Sequence, residues 1–122
     1  MEINMNSGQV EVISPYGRIY LYTHDHAARL TNDVYTALAA GQRWDDADYL
    51  AKIIFCHMVP LECWEQDRGY GIGTQLYVDI NLLISVDTVK QEVTITSAKD
   101  KTFFYRSSFK AFIEEYTKGA EL

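Results

Sequence analysis

Apolar residues recur at three- and four-residue steps in some stretches of this chain and alternate singly in others, and the two rhythms predict different elements. The clearest helical stripe is Ala47, Leu50, Ile53, Ile54 and Met58, with Asp45 placed to cap its start and Asp48 three residues on. Acidic side chains there meet the positive end of the helix dipole, and Pro60 stops the helix at or before Val59. An earlier stripe, Leu30, Val34, Ala37 and Leu38, ends at Gly41, a residue suited to the left-handed stop. The short link from Gly41 to Trp44 predicts that these two helices pack side by side. A closing helix carries Phe109, Phe112, Ile113 and Tyr116 on one face, with Ser107 or Ser108 as cap and Gly119 as stop.

Alternation predicts strands elsewhere. Val10 to Ser14 and Arg18 to Thr23 flank Ser14-Pro15-Tyr16-Gly17, a type I turn pattern, so they form a hairpin. Thr74 to Val78 reads as a strand, and the continuous apolar run Leu82 to Val86 suggests a central one. Glu92 to Thr96 points Val93 and Ile95 inward, and after a turn at Lys99-Asp100-Lys101 a further strand spans Thr102 to Tyr105. The fold class expected is α+β: a mostly antiparallel sheet with a two-helix insertion and a C-terminal helix, in one domain over residues 1–122.

Charge narrows the partners. A formal net charge of -6 argues against binding long nucleic acid, which needs clustered Lys and Arg, but leaves room for a small anion held by one or two arginines. No apolar run reaches transmembrane length, and MEINMNSG has neither a basic nor a hydrophobic leader, so the cytoplasm is the expected compartment. Nine tyrosines supply flat amphipathic rings suited to interfaces and ligand walls.

No set of residues assembles a catalytic centre, and no cofactor is expected. Histidines one residue apart in His24-Asp25-His26 begin like a metal-hydrolase signature, but Ala27, Ala28 and Arg29 stand where further ligands are needed, so no metal site is expected. Hydrogen bonding is the better use: His24, His26 and Arg29 gather donors at a strand-to-helix junction. Gly69, Gly71 and Gly73 alternate with Tyr70, Ile72 and Thr74, either as a loop that lets backbone approach a ligand or as a bulged strand. Cys56 beside His57 lacks an orienting partner, and a buried thiol is expected there, while Cys63 is unremarkable. Arg106, read as the end of the last strand before Ser107 and Ser108, suits a phosphate.

At SPYGRIYLYTH, RWDDADYLAKIIFCHMV and GYGIGT the chain resembles a family of small phage-encoded proteins that includes the Thoeris anti-defence nucleotide sponges, over roughly positions 14 to 86 and again at SFKAFIEEY. In Thoeris a bacterial TIR-domain enzyme makes a cyclic ADP-ribose isomer that switches on an effector. The resemblance implies a non-enzymatic sponge that holds glycocyclic ADP-ribose intact in the host bacterial cytoplasm, as a homodimer or higher homo-oligomer with pockets between subunits. It also implies cyclic oligonucleotides as a second ligand class. Matched positions with ligand-capable chemistry are His24, Arg29, Tyr70, Gly71, Gly73 and Thr74, and Asn81 and Arg106 join them on chemistry. Gly73 and Asp79-Ile80-Asn81 depart from the family pattern, which leaves ligand preference open. Two other classes stay open: a hydrolase of the same signal with His24 or His26 as base, and a direct protein inhibitor of a defence enzyme.

Overall fold

The computed structural model of the protein describes residues 7–59, 69–77, 79–97 and 103–118. Within them the hairpin forms as its alternation predicts. Strand β1, Gly8–Ser14, pairs antiparallel with β2, Gly17–Thr23, across the two-residue connection Pro15 and Tyr16. A single 3-10 turn, Ala27–Arg29, leads into helix α1, Leu30–Ala39, which closes where Gly41 takes φ of 71° and donates its N–H to the Leu38 carbonyl.

Helix α2, Ala47–Met58, packs against α1, but its cap is Asp46 and not Asp45. The Asp46 carboxylate accepts from the Tyr49 N–H at 3.0 Å, three residues on, whereas Asp45 lies one residue too early to reach the first free amides. Leu50, Ile54 and Met58 take the inward face of α2. Cys56, expected in the interior, is exposed instead, because two residues past Ile54 a helix has turned about 200°.

The glycine segment is itself a strand. β3, Tyr70–Gly73, pairs antiparallel with β2 and occupies one edge of the sheet, while residues 74–77 lie outside any strand, contrary to the expectation for Thr74 to Val78. β4, Leu82–Asp87, is central as its apolar run predicts, parallel to β1 and antiparallel to β5, Glu92–Ser97. β6, Phe104–Ser108, begins and ends later than the expected Thr102 to Tyr105, because its pairing with β5 runs on to Ser108 opposite Glu92. Helix α3, Phe109–Thr117, follows at once, with Ser108 accepting from the Ala111 N–H at 3.0 Å. The expected turn at Lys99-Asp100-Lys101, the Gly119 stop, Pro60 and Cys63 fall outside the described residues.

The sheet order is β3-β2-β1-β4-β5-β6, mostly antiparallel, and the fold is α+β. The helices lie on one face, over Val10, Val12, Leu21, Ile84, Val86, Val93 and Ile95, and Phe109 and Phe112 of α3 belong to the same apolar core. The other face is mostly polar. Directly paired residues share a face, so Gly73, Tyr20, Glu11, Ser85, Thr94 and Arg106 form one row across all six strands. The connection from β3 to β4 crosses this uncovered face. Gln9, 1% exposed, holds it by donating to the Gln75 carbonyl at 3.0 Å and accepting from the Tyr77 N–H at 2.8 Å. No described helix is long and apolar enough to cross a membrane.

Candidate functional site

The end of β2, the beginning of β3, the beginning of α1 and the end of α2 meet at one corner of the molecule. Because α1 and α2 are joined by a short link they run antiparallel, which sets the first turn of α1 beside the last turn of α2. β3 is tied in by the His24 N–H, which donates to the Gly69 carbonyl at 2.8 Å. Gly69 is the glycine this corner requires: it takes φ of 80°, and a Cβ there would stand 2.8 Å from that of His24. Gly71 and Gly73 have no such need, since a Cβ on either meets nothing within 4 Å, and both sit in a regular edge strand.

Aromatic and imidazole rings line the corner. Tyr70 and His26 lie parallel, planes 1° apart and centroids 5.8 Å apart, with the Tyr70 hydroxyl 2.8 Å from His26 Nδ1. The His26 N–H donates to Thr23 Oγ1 at 3.1 Å and the Arg29 N–H to the His26 carbonyl at 3.0 Å, so His26 and Arg29 are positioned by one tight turn. Around the end of β2, the Tyr22 hydroxyl stands 3.2 Å from His24 Nδ1, and the Tyr22 ring meets Tyr77 edge to face. Burial, reinforced by Asp79, holds the Tyr22 hydroxyl above the ordinary phenol range, so it stays a neutral donor.

Two members of this corner escaped the sequence reading. Asp33 of α1 is only 4% exposed, and burial raises its carboxyl from the usual 3.8 to about 6, against the opposing fields of Arg29, His57 and His26. His57, read as a histidine without an orienting partner, lies in the last turn of α2, within electrostatic reach of that carboxyl. A signal for Asp33 was present: it lies four residues after Arg29 and seven after His26, the spacing of one helix face.

The sequence-based candidates therefore separate. His24, Arg29 and Tyr70 lie at this one junction, Tyr70 bonded to His26 and His24 to Tyr22. Gly73 and Thr74 lie toward the far end of β3, Thr74 about 13 Å along the strand from Tyr70. Asn81, whose N–H donates to the Ser7 carbonyl at 3.0 Å, sits just before β4 at the Tyr70 end of the sheet but about 14 Å across it from Tyr70. Arg106 lies within β6 and not at its end, its guanidinium 5.3 Å from the Phe104 ring centroid. It is at the opposite sheet edge, about 24 Å away, on the face without helices.

Among the described residues, cavities lie elsewhere, two of which bear on the site. One of about 480 Å³ is walled by Asp45, Asp46 and Asp48 with the β1–β2 turn, a charge that repels anions. The other, about 310 Å³, is an apolar groove between α2 and the β2–β3 edge, lined by Leu21, Phe55, Cys56 and Ile72. Among the described residues no group of three or more His, Cys, Asp or Glu side chains is arranged to hold a metal ion. No family model matches this chain, and neither the curated proteins nor the solved structures contain a match to it.

Proposed function

We propose that this corner binds a small cyclic nucleotide of the ADP-ribose type and holds it unchanged, so that the protein acts as a sponge for a signal made by TIR-domain immunity. The observation that carries the proposal is that Arg29, His24, His26, Tyr22 and Tyr70 lie at one strand-to-helix junction, with the Tyr70–His26 pair on the helix side of the sheet and the Tyr22–His24 pair on its other face. A pyrophosphate asks for a guanidinium and imidazole donors, and an adenine asks for flat rings such as the parallel His26–Tyr70 pair. The three sequence blocks that resemble phage nucleotide sponges supply the ligand class, with cyclic oligonucleotides as a second one, and a homodimer or higher oligomer as the assembly. Calorimetry with purified protein and glycocyclic ADP-ribose is expected to give saturable heat without any partner protein. Denaturing the complex and chromatographing the released ligand is expected to return it intact.

A second reading, hydrolysis of the same signal, draws on one feature: His57 and His26 lie within electrostatic reach of the buried Asp33 carboxyl. The same chromatogram decides, since a hydrolase returns product.

A further inference from the structure

Gln9 stands inside the molecule on an interior strand, 1% exposed, an uncommon place for an amide that must find partners for both its ends. It finds them in the connection from β3 to β4, where Nε2 donates to the Gln75 carbonyl at 3.0 Å and Oε1 accepts from the Tyr77 N–H at 2.8 Å. Residues 74–77 lie outside any strand, so this side chain supplies two of the backbone partners that a ladder would otherwise give. The register of β1 on β2 sets Gln9 directly opposite Tyr22, and directly paired side chains stand on the same face. Fixing Tyr77 over Gln9 therefore brings its ring against Tyr22, where the two meet edge to face with centroids 5.4 Å apart and planes at 79°. The Tyr22 hydroxyl in turn stands 3.2 Å from His24 Nδ1.

We infer that Gln9 is a positioning residue for the nucleotide site, acting through Tyr77 and Tyr22 to hold the His24 imidazole in the tautomer that carries its proton on Nε2. The inference rests on the nucleotide-binding proposal and says how one of its donors is prepared. A neutral phenol donating to Nδ1 makes that nitrogen an acceptor, so the neutral ring keeps its N–H on Nε2 and presents it as a donor to a phosphate oxygen. The Asp25 carboxylate, 3.9 Å from Nε2, favours a proton on the same nitrogen, and its exposure lets water screen it from a bound anion. With the Tyr22 ring unsupported, the two tautomers would exchange, and selecting one on binding would lower affinity.

The experiment reads the His24 ring of the ligand-free chain by 15N–1H correlation spectroscopy at pH 8.5, and affinity for glycocyclic ADP-ribose by calorimetry. It compares the wild-type protein, Gln9→Met, Tyr77→Leu and the double variant. The wild-type ring is expected in the Nε2–H form alone. Each single variant is expected to mix in the Nδ1–H form and to bind at least fivefold more weakly. The double variant is expected to lie within twofold of the weaker single one, because both changes act through one contact. A wild-type Nδ1–H ring, an unchanged tautomer in both variants, or losses that simply add overturns the inference and leaves nucleotide binding standing, as does a changed tautomer with unchanged affinity. If the wild-type protein binds no cyclic nucleotide, the parent proposal falls and this one with it. Should Gln9→Met fail to fold, Tyr77→Leu, at a residue 45% exposed, tests the same relay one step on. A mixed tautomer with at least a fivefold loss supports the inference, and anything less overturns it.

Discussion

Asp33 holds a charge where its surroundings disfavour one, and its proton makes that measurable. The folded carboxyl titrates at about 6 and the unfolded one near 3.8, so between these values the folded chain binds more protons. Stability therefore falls as pH rises through that window, and above it the full penalty, at most about 3 kcal/mol, is present. Asp33→Asn removes the charge, so its stability relative to wild type is expected to improve by about 1–3 kcal/mol between pH 4 and pH 7.5 in urea denaturation. A difference that stays constant with pH would mean that burial does not set the titration of Asp33. Glu11 is the opposite kind of buried carboxylate. At 6% exposure it accepts from Arg18 Nη1 at 3.0 Å, the Tyr20 hydroxyl at 2.9 Å and Ser85 Oγ at 2.7 Å, so its lone pairs are matched. Tyr20→Phe removes one donor and is expected to cost about 1–1.5 kcal/mol, while Glu11→Ala leaves the buried Tyr20 hydroxyl and the half-buried Ser85 hydroxyl without their acceptor and costs about 2–3 kcal/mol, both read from urea midpoints. Arg18 adds little, since its own side chain is mostly in solvent.

At the scale of elements, the cap of α2 separates what pattern reveals from what geometry decides. Asp46→Ala is expected to lose about 1 kcal/mol through the Tyr49 N–H it leaves unpaired, and Asp45→Ala less than half of that, a comparison that thermal melts of the two variants settle. The apolar stripe located α2 in the sequence, because burial of Leu50, Ile54 and Met58 determines where the helix must lie. It did not choose between adjacent aspartates, because the cap depends on one residue's φ and ψ, which no periodicity records. The same limit explains β3. Gly69 to Thr74 has too few side chains to show an alternation, so its pairing with β2 was hidden, and the strand was expected in the more apolar residues that follow. Gly69 is where the chain's conformation and the site meet. Gly69→Ala sets a methyl 2.8 Å from the His24 Cβ at a positive φ, so it is expected to displace His24 and weaken nucleotide binding at least fivefold in calorimetry. Gly71→Ala and Gly73→Ala, with open space at the Cβ, are expected to change affinity less than twofold.

Over the whole molecule, the arrangement of the sheet decides which of the sequence's candidate residues can act together. His24, Arg29 and Tyr70 were legible as chemistry and lie at one junction because the strand-to-helix turn and the β3 edge meet there. Arg106 was equally legible as chemistry, but its placement depends on strand order, and strand order depends on long-range pairings that a linear pattern does not encode. The two arginines then make opposite predictions. Arg29→Ala is expected to weaken binding of glycocyclic ADP-ribose at least tenfold, as loss of a charge-assisted contact to pyrophosphate does. Arg106→Ala, five strand spacings away on the uncovered face, is expected to leave affinity within twofold and only release its contact with Phe104. Within one subunit no motion of side chains bridges about 24 Å, so an equal loss for both variants would require the β6 edge of one copy to approach the β3 edge of another. Sedimentation of each variant alongside calorimetry distinguishes the two routes: loss of affinity with loss of assembly assigns Arg106 to a subunit contact, and loss of affinity in an intact assembly makes it part of a shared pocket.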